Sequence, residues 1–306
     1  QTQFEIDPLR VANVIDYKNA QCSIPPEDLL LANILSGTLD PDKIDYLLRD
    51  SLFCGVPFGE SVNRDRLESS IKYDSERKRL AITSKGVDAV EALVFTNYLM
   101  YRNVYWHHGV RSASAMFKRA VQEILLHPEC QLDGNRFHLL TESELIAQLK
   151  SEQQRLQLTG SAQLLDGTIY RRLYKVGAVI HPGERKRALM EYLYELFHNP
   201  VKRREKEIEL CHMFSKKLGR PLSGHEILID IPGFNKSPEV DLKVFYGPEN
   251  PSDKADPLTF DNPEVTRLRD SLLDNFEDQA KIFRIFCIDD PQLRTLVRNE
   301  AKRYLN

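Results

Sequence analysis

Most of the chain carries apolar side chains at the three- and four-residue steps of amphipathic α-helices. The pattern predicts a helix that follows Asp40 and a long helix from Lys85 to Trp106. Ile71 to Thr83 alternates instead with a period of two around a polar turn, which predicts a β-hairpin with strands Ser70–Tyr73 and Arg79–Thr83. This part of the chain is therefore expected to be helical with one hairpin.

The pattern changes towards the carboxyl end, where short apolar runs predict strands and two further segments have helical periodicity. The predicted strands are Glu226–Ile231, Val240–Tyr246 and Phe283–Ile288, and the predicted helices are Val265–Asn275 and Gln292–Tyr304. We therefore predict a mainly α fold with a β-hairpin and a small C-terminal α+β unit.

The helix after Asp40 has two unlike faces. Asp40 is a suitable N-cap, and Pro41 suits the first helical position, where its missing N–H would have no partner in any case. At about 100° per residue, polar side chains share one arc and apolar side chains share the opposite one. The polar arc consists of Asp42, Lys43, Tyr46 and Asp50, and the apolar arc of Ile44, Leu47 and Leu48.

Spacing alone leaves two interpretations of the polar arc open. Charged helix faces are usually solvated, which is the simpler interpretation. The alternative is a binding face, with Asp42 on a metal, Lys43 on phosphate and Tyr46 on a base or sugar. Asp45 and Arg49 lie outside this question, because they are four residues apart and can pair across one helical turn.

Composition limits the classes of protein that fit. The 306 residues carry a formal net charge of −3, which gives no overall attraction to nucleic acid or to a membrane surface. The sequence contains no apolar run long enough to span a bilayer, no signal-peptide pattern, and no P-loop, GxGxxG, HExxH or paired CxxC motif. The five scattered cysteines are typical of free thiols in a reducing compartment. We therefore expect a cytoplasmic protein without a membrane partner and without a strong nucleic-acid signal.

Two stretches resemble a known family. Residues 42–51 (DKIDYLLRDS), followed by residues 55–59 (GVPFG), are similar to the second half of the HD-domain phosphohydrolases, in the branch of the deoxynucleoside triphosphate triphosphohydrolases. Residues 100–107 (MYRNVYWH) follow downstream, as in that family. The resemblance covers most of residues 4–127. It continues weakly at residues 171–175 (RRLYK) and 226–230 (EILID).

The resemblance implies both a domain organisation and an activity. Residues 1–130 would form the C-terminal half of an HD-type helical catalytic domain, 131–220 a helical extension, and 221–306 the small α+β unit. The implied activity is that of a metal-dependent phosphohydrolase on nucleotides, and most specifically of a dNTP triphosphohydrolase. The resemblance also implies assembly into a homo-oligomer.

The implied chemistry needs a divalent metal, and Mn, Mg, Fe, Ni and Zn are not distinguishable. The family holds this metal with a histidine, a His-Asp dipeptide and a later aspartate, which Asp42 matches. All eight histidines follow Asp42 and none precedes an aspartate, so only one expected ligand is present. Three explanations stay open: a further N-terminal segment, a separate polypeptide that supplies the other ligands, or a non-catalytic relative. The start at Gln1 rather than at Met favours the first.

Further roles also come from the resemblance. Lys43 matches a phosphate-binding residue, and His107 matches a histidine near a regulatory nucleotide site. The residues that match substrate-contacting positions are Tyr46, Asp50, Tyr101 and Tyr105.

Asn97 departs from the family pattern, because relatives usually place an arginine there that pairs with phosphate. Asn97, Tyr101 and Tyr105 recur at four-residue steps and are predicted to share a helix face. Spacing alone is more typical of a core than of a pocket. His107 and His108 are not expected to form a metal pair, because adjacent helical side chains point about 100° apart.

Two hypotheses from different classes follow. The first is a nucleotide phosphohydrolase completed by ligands from outside the sequence. The second is a non-catalytic nucleotide-binding or oligomerisation protein with a degenerate HD site.

Overall fold

The structure is a computed structural model, and it describes residues 7–17, 24–76, 78–180, 186–233, 242–246, 257–266 and 282–305. These residues belong to two compact units. The first unit comprises the described residues up to Val104 together with 242–246 and 257–266, and the second comprises the rest. The three consecutive domains drawn from the sequence stay a prediction.

The first unit is built mainly from helices, three of which begin at a side-chain N-cap (Asp7, Asp40 and Asn63). Its elements in the first hundred residues are α1 (Pro8–Ile15), α2 (Pro26–Ser36), α3 (Pro41–Cys54), a 3-10 helix (Pro57–Ser61), α4 (Arg64–Ser70), β1 (Ile71–Asp74), β2 (Arg79–Thr83), a second 3-10 helix (Ser84–Gly86) and α5 (Val87–Met100). Each of the first three helices has proline in its first turn, where no N–H is required.

The predicted hairpin is confirmed. β1 and β2 pair antiparallel, with Ile71 opposite Ile82 and Asp74 opposite Arg79. β5 (Lys243–Phe245) then pairs parallel with β2, and β6 (Leu258–Thr259) pairs antiparallel with β5. This extension was not anticipated, because a parallel partner distant in sequence leaves no mark on the local hydrophobic pattern.

The long helix predicted from Lys85 to Trp106 is wrong in detail at both ends. A 3-10 turn precedes α5, and a π-helical segment (Tyr101–Tyr105) follows it. A π-helix closes i→i+5 hydrogen bonds, so the regular α-helical spacing ends before Tyr105. The prediction that Asn97, Tyr101 and Tyr105 share one face stays a prediction.

The second unit combines helices with a three-stranded sheet. Its elements are α6 (His108–Leu125), a 3-10 helix (Gly134–Leu139), α7 (Glu142–Arg155), α8 (Thr159–Ile169), β3 (Lys175–Ile180), α9 (Arg187–His198), α10 (Pro200–Leu218), β4 (Ile227–Asp230), β7 (Phe283–Cys287), α11 (Pro291–Glu300) and a closing 3-10 helix (Ala301–Tyr304). Residues 141–144 (TESE) have the sequence pattern that predicts a capping box, and the box is present at the start of α7, where Thr141 and Glu144 each accept a hydrogen bond from the other's backbone N–H.

The sheet of the second unit has the order β3-β7-β4 and is antiparallel throughout. One face, with Ile227, Ile229 and Ile285, packs into a core cluster with α9, α10 and α11. The opposite face presents Leu228 and Phe286 to a second cluster with α6, α7 and α8. Burial on both faces explains why these strands read as continuous apolar runs.

The predicted fold class is confirmed: the protein is mainly α with small sheets. The helix predicted at Val265–Asn275 lies, beyond its first two residues, outside the described residues. Within the described ranges, no helix has both the length and the apolar character needed to cross a membrane.

Candidate functional site

The candidate site begins with α3, whose start is set as the sequence predicts. Asp40 accepts a hydrogen bond from the Asp42 N–H at 2.8 Å, and Pro41 occupies the first turn. The helix ends at Gly55, which has a φ of +66°. This left-handed conformation carries little penalty only for glycine, so Gly55 fixes where α3 stops.

The two faces of α3 differ in burial at Leu47 and Asp42, and their other members are half-buried. Leu47 is fully buried, and Ile44 and Leu48 are half-buried. Asp42 is exposed, whereas Tyr46 and Asp50 are half-buried. The polar arc therefore combines one freely accessible carboxylate with two polar groups at the edge of the packed interior.

Lys43 is held by the turn that precedes its own helix. Its ammonium donates to the carbonyl oxygens of Gly37 at 3.1 Å and Thr38 at 3.3 Å. Burial lowers the pKa of Lys43, and the nearby Asp40 opposes this shift. The amine thus stabilises the end of α2, and a phosphate that binds here must share or displace these contacts.

Tyr46 lies close enough to Tyr101 for the two phenols to interact electrostatically. Burial raises the pKa of Tyr46 to about 12, and Tyr101 and the carboxylates of the polar arc add to the shift. Tyr46 is therefore protonated at neutral pH and can donate a hydrogen bond. The structure brings together Asp42, Tyr46, Asp50 and Tyr101 within the first unit.

Asn97 is 7% exposed, and its Oδ1 is buried without a hydrogen-bond partner among the described residues. Buried polar atoms are normally paired, so this oxygen is an exception that ligand or water could satisfy. A neutral amide in this place cannot supply the positive charge that an arginine would.

Tyr105 and His107 belong to the second unit. Tyr105 is half-buried, and His107 is the N-cap of α6, where its Nδ1 accepts from the Gly109 N–H at 3.3 Å. The expected divergence of His107 and His108 is wrong, because His107 lies outside the helix. Their ring centroids are 4.0 Å apart.

Sequence reasoning missed a basic cavity next to these histidines. Its volume is about 500 Å³, and the basic side chains that line it are His108, Lys175, Arg284 and Arg294. Arg284 is only 8% exposed. Burial lowers the pKa of His108, and the neighbouring His107, Arg284 and Lys175 lower it further. The residues that line the cavity come from distant parts of the sequence, so no local pattern predicts it. One sequence feature near it is the weak family resemblance at residues 171–175, which includes Lys175.

The described residues do not build a metal centre on their own. No group of three or more histidine, cysteine, aspartate or glutamate side chains is arranged around a common point in the described ranges. In the polar arc of α3, Asp42 offers a metal a single exposed carboxylate. A divalent metal would therefore need ligands from beyond these residues.

The fold resembles that of a solved enzyme. A crystal structure of a phosphohydrolase (BT4208) from Bacteroides thetaiotaomicron superposes with a TM-score of 0.56 at 20% sequence identity. The superposition covers 91% of this chain and 66% of that protein. At this identity, the likeness concerns the fold.

Sequence comparison then gives the family. Residues 62–250 match the family described as the HD associated region, and the chain belongs to this family. The match supports the resemblance to HD-domain phosphohydrolases and leaves the dNTP branch as a prediction.

Two curated relatives share part of the sequence. The uncharacterized protein MJ1154 from Methanocaldococcus jannaschii is 41% identical over 93 residues, which are 30% of this chain and 21% of that protein. The uncharacterized protein YwfO from Bacillus subtilis is 31% identical over 127 residues, which are 41% of this chain and 25% of that protein. The alignments thus span a quarter or less of the relatives' length.

Proposed function

We propose that this chain is part of a metal-dependent phosphohydrolase that acts on nucleotides, with deoxynucleoside triphosphates as the substrate class. The observation that carries the proposal is the polar arc of α3, where an exposed Asp42 lies beside Tyr46 and Asp50. Membership of the HD-associated-region family and a fold like that of a phosphohydrolase support it.

The residues have separate roles in this proposal. Asp42 supplies one ligand to a divalent metal, and the other ligands come from polypeptide beyond the described residues. Such a metal would polarise the phosphate that is attacked. Lys43 binds phosphate, and the nucleoside contacts Tyr46, Asp50 and Tyr101 of the first unit. The substrate contact that the resemblance implies for Tyr105 stays a prediction. The basic cavity in the second unit, next to His107, is proposed to bind a regulatory nucleotide.

Asp42 gives the decisive test. The protein is incubated with each dNTP and Mn²⁺ or Mg²⁺, and nucleoside and triphosphate are separated by ion exchange. Asp42→Asn should lower the rate by about 100-fold or more, because it removes a charged ligand without changing volume. Asp45→Asn is the matched control, since Asp45 is on the same helix but pairs with Arg49 at 2.8 Å. Equal rates for parent and Asp42→Asn would refute the assignment.

Substitution of Lys43 tests whether this residue contributes to substrate binding or to the rate of turnover. Lys43→Ala should raise KM roughly 10- to 100-fold, the equivalent of one charge-assisted contact, with a smaller change in kcat. Lys72→Ala controls for the loss of an exposed positive charge elsewhere in the unit. If KM and kcat both match the parent, Lys43 serves only to hold the α2–α3 turn.

A second candidate function is nucleotide binding, or oligomerisation, without turnover. Two observations favour it: the described residues hold no three-ligand group, and Asn97 is neutral. In that case calorimetry should give the same nucleotide affinity in EDTA as in Mn²⁺, and no dNTP should be hydrolysed. Metal-dependent hydrolysis by the parent would exclude this alternative.

A further inference from the structure

The segment that follows α3 is packed between α3 and α5. Its 3-10 helix, Pro57–Ser61, contacts both helices, and α3 and α5 also contact each other. The arrangement lies wholly within the first unit. The separation of the two helices therefore depends on how this segment is held.

On the α3 side, the segment is held by Ser51, which is 2% exposed. Its Oγ donates to the Val56 carbonyl oxygen at 2.5 Å and accepts from the Gly59 N–H at 2.8 Å. One buried hydroxyl thus satisfies two backbone groups that have left the helical pattern, so its loss would leave both without this partner.

On the α5 side, the segment is held by Thr96, which is fully buried. Its Oγ1 donates to the Phe58 carbonyl oxygen at 3.1 Å and lies 3.0 Å from the Ser61 Oγ. Backbone groups of adjacent residues, Phe58 and Gly59, are therefore bonded to opposite helices. We call Ser51, Thr96 and residues 56–61 the hydroxyl clamp.

Within the hydroxyl clamp, the backbone at Gly59 is in direct steric contact with α3. A Cβ atom on Gly59 would lie 2.8 Å from the Ser51 Cβ and 3.1 Å from the Leu47 carbonyl oxygen. The segment backbone therefore touches α3 directly, with no side chain between them to absorb a shift. This contact explains why glycine is needed at the end of the GVPFG stretch.

The hydroxyl clamp acts behind the candidate site. Ser51 and Leu47 lie on the buried side of α3, and Asp42, Tyr46 and Asp50 lie on the other side. On α5, Thr96 directly precedes Asn97, and Tyr101 follows the end of the helix. A movement of either helix at the clamp would change the spacing of Tyr46 and Tyr101.

We propose that Ser51 and Thr96 are positioning residues that set the spacing of Tyr46 and Tyr101, and thereby the fit of the nucleoside. The nucleoside part of this inference rests on the proposed function. Neither hydroxyl contacts substrate, so the effect falls on KM rather than on kcat.

The spacing itself can be tested without substrate or metal. The protein is labelled with 3-fluorotyrosine, and the ¹⁹F resonances of Tyr46 and Tyr101 are assigned with the two Tyr→Phe variants. Thr96→Val removes the hydroxyl at constant shape and should shift both resonances by more than their linewidths. Thr96→Ser keeps the hydroxyl and should leave them near the parent positions.

Ser69→Ala is the matched control, because Ser69 donates to the Arg66 carbonyl oxygen at 3.1 Å on the exposed surface of α4. It should leave both resonances in place. If Thr96 has a purely structural role, Thr96→Val and Thr96→Ser should shift the two ¹⁹F resonances equally. If Thr96→Val folds and neither resonance moves, the proposal is overturned. If Thr96→Val does not fold, Ser61→Ala tests the same contact from the exposed end and should give a smaller shift in the same direction.

Steady-state kinetics test the nucleoside part. In a protein that hydrolyses dNTPs, Thr96→Val should raise KM by roughly 10-fold, the scale of one weakened hydrogen bond to the nucleoside, with kcat changed much less. An active parent with unchanged KM in Thr96→Val overturns the positioning role. An inactive parent instead overturns the proposed function, and the ¹⁹F shifts then report on the spacing alone.

Discussion

One ion pair from each unit shows how differently charged side chains can be placed. In the second unit, Arg119 and Glu207 are 3% and 1% exposed and lie 2.5 Å apart. In the first unit, the α3 pair Asp45–Arg49 is 61% and 55% exposed at a similar separation of 2.8 Å. The same chemical pair is thus a buried component of one unit and a solvated surface feature of the other.

The difference in burial indicates which charged side chains a ligand can reach. A buried ion pair has lost its hydration, so each partner depends on the other and neither is available to a ligand. An exposed carboxylate such as Asp42 contributes little to folding and can change partner at low cost. We therefore expect substitutions of buried charges to lower stability, and substitution of Asp42 to change binding.

The largest effect on stability is expected from Glu207→Ala. Glu207 faces Arg119 and also accepts a hydrogen bond from the Ile229 N–H at 2.8 Å, so it joins α10 to α6 and to β4. Its removal leaves an uncompensated buried guanidinium and should cost about 3–5 kcal/mol. Denaturant unfolding followed by the fluorescence of Trp106, which belongs to the second unit and is the single tryptophan, measures this.

Two variants sharpen that result. Glu209→Ala removes an exposed carboxylate from the same helix, where it pairs with Lys206, and should change stability by less than about 1 kcal/mol. The double variant Arg119→Met/Glu207→Gln removes both charges but keeps an acceptor for the Ile229 N–H, and should recover most of the loss. If Glu207→Ala and Glu209→Ala had the same free energy of unfolding, the expected difference between buried and exposed charges would be contradicted.

A smaller loss is expected from Arg111→Met. Arg111 forms a bidentate ion pair with Asp230, and its Nε and Nη2 donate to the carboxylate at 2.9 Å and 2.5 Å. Asp230 keeps a second cation nearby, because Arg284 interacts with it electrostatically. We therefore expect a loss of about 1–3 kcal/mol by the same fluorescence measurement. A second substitution, Arg284→Met, should then cost more in the Arg111→Met background than in the parent.

Acid should weaken the second unit through Glu152. Hydrogen bonds from Arg155 and from the Gln131 N–H lower the pKa of Glu152 from 4.5 to about 2. The folded pKa lies below the ordinary value, so the stabilisation is complete above pH 4.5 and is lost as the pH falls through about 2. Glu152→Gln should therefore be less stable than the parent at pH 6, and the two stabilities should converge below pH 2.5. A constant difference across this range would contradict the assignment.

The same contrast explains what the sequence could predict. Caps, turns and amphipathic faces are local, so the start of α3, the hairpin and the capping box at Thr141 were predicted correctly. The Asp45–Arg49 pair was also correct, because its spacing is a single helical turn.

Features that depend on distant segments were not predictable. The β2–β5 pairing, the basic cavity and the Arg119–Glu207 pair each join residues far apart in the chain. At the candidate site, the roles of Ser51 and Thr96 were not predictable, although Ser51 ends the DKIDYLLRDS stretch, because these roles depend on a loop that folds back between two helices. The GVPFG stretch was the one local sign that backbone comes close to another element there.

The smallest effect is expected from Arg49→Ala. The pair with Asp45 is exposed on both sides, and an i,i+4 pair of this kind is worth roughly 0.3–0.5 kcal/mol. Hydrogen exchange of the α3 amides should detect this loss at low salt, and the difference from the parent should shrink at 1 M salt, where the screening length falls to about 3 Å. Nucleotide affinity should stay unchanged, because Arg49 is paired with Asp45 and is assigned no contact with the nucleotide. Arg49 lies only about 20° from Asp42 around the helix axis, so a large loss of affinity in Arg49→Ala would mean that the binding face includes this arginine.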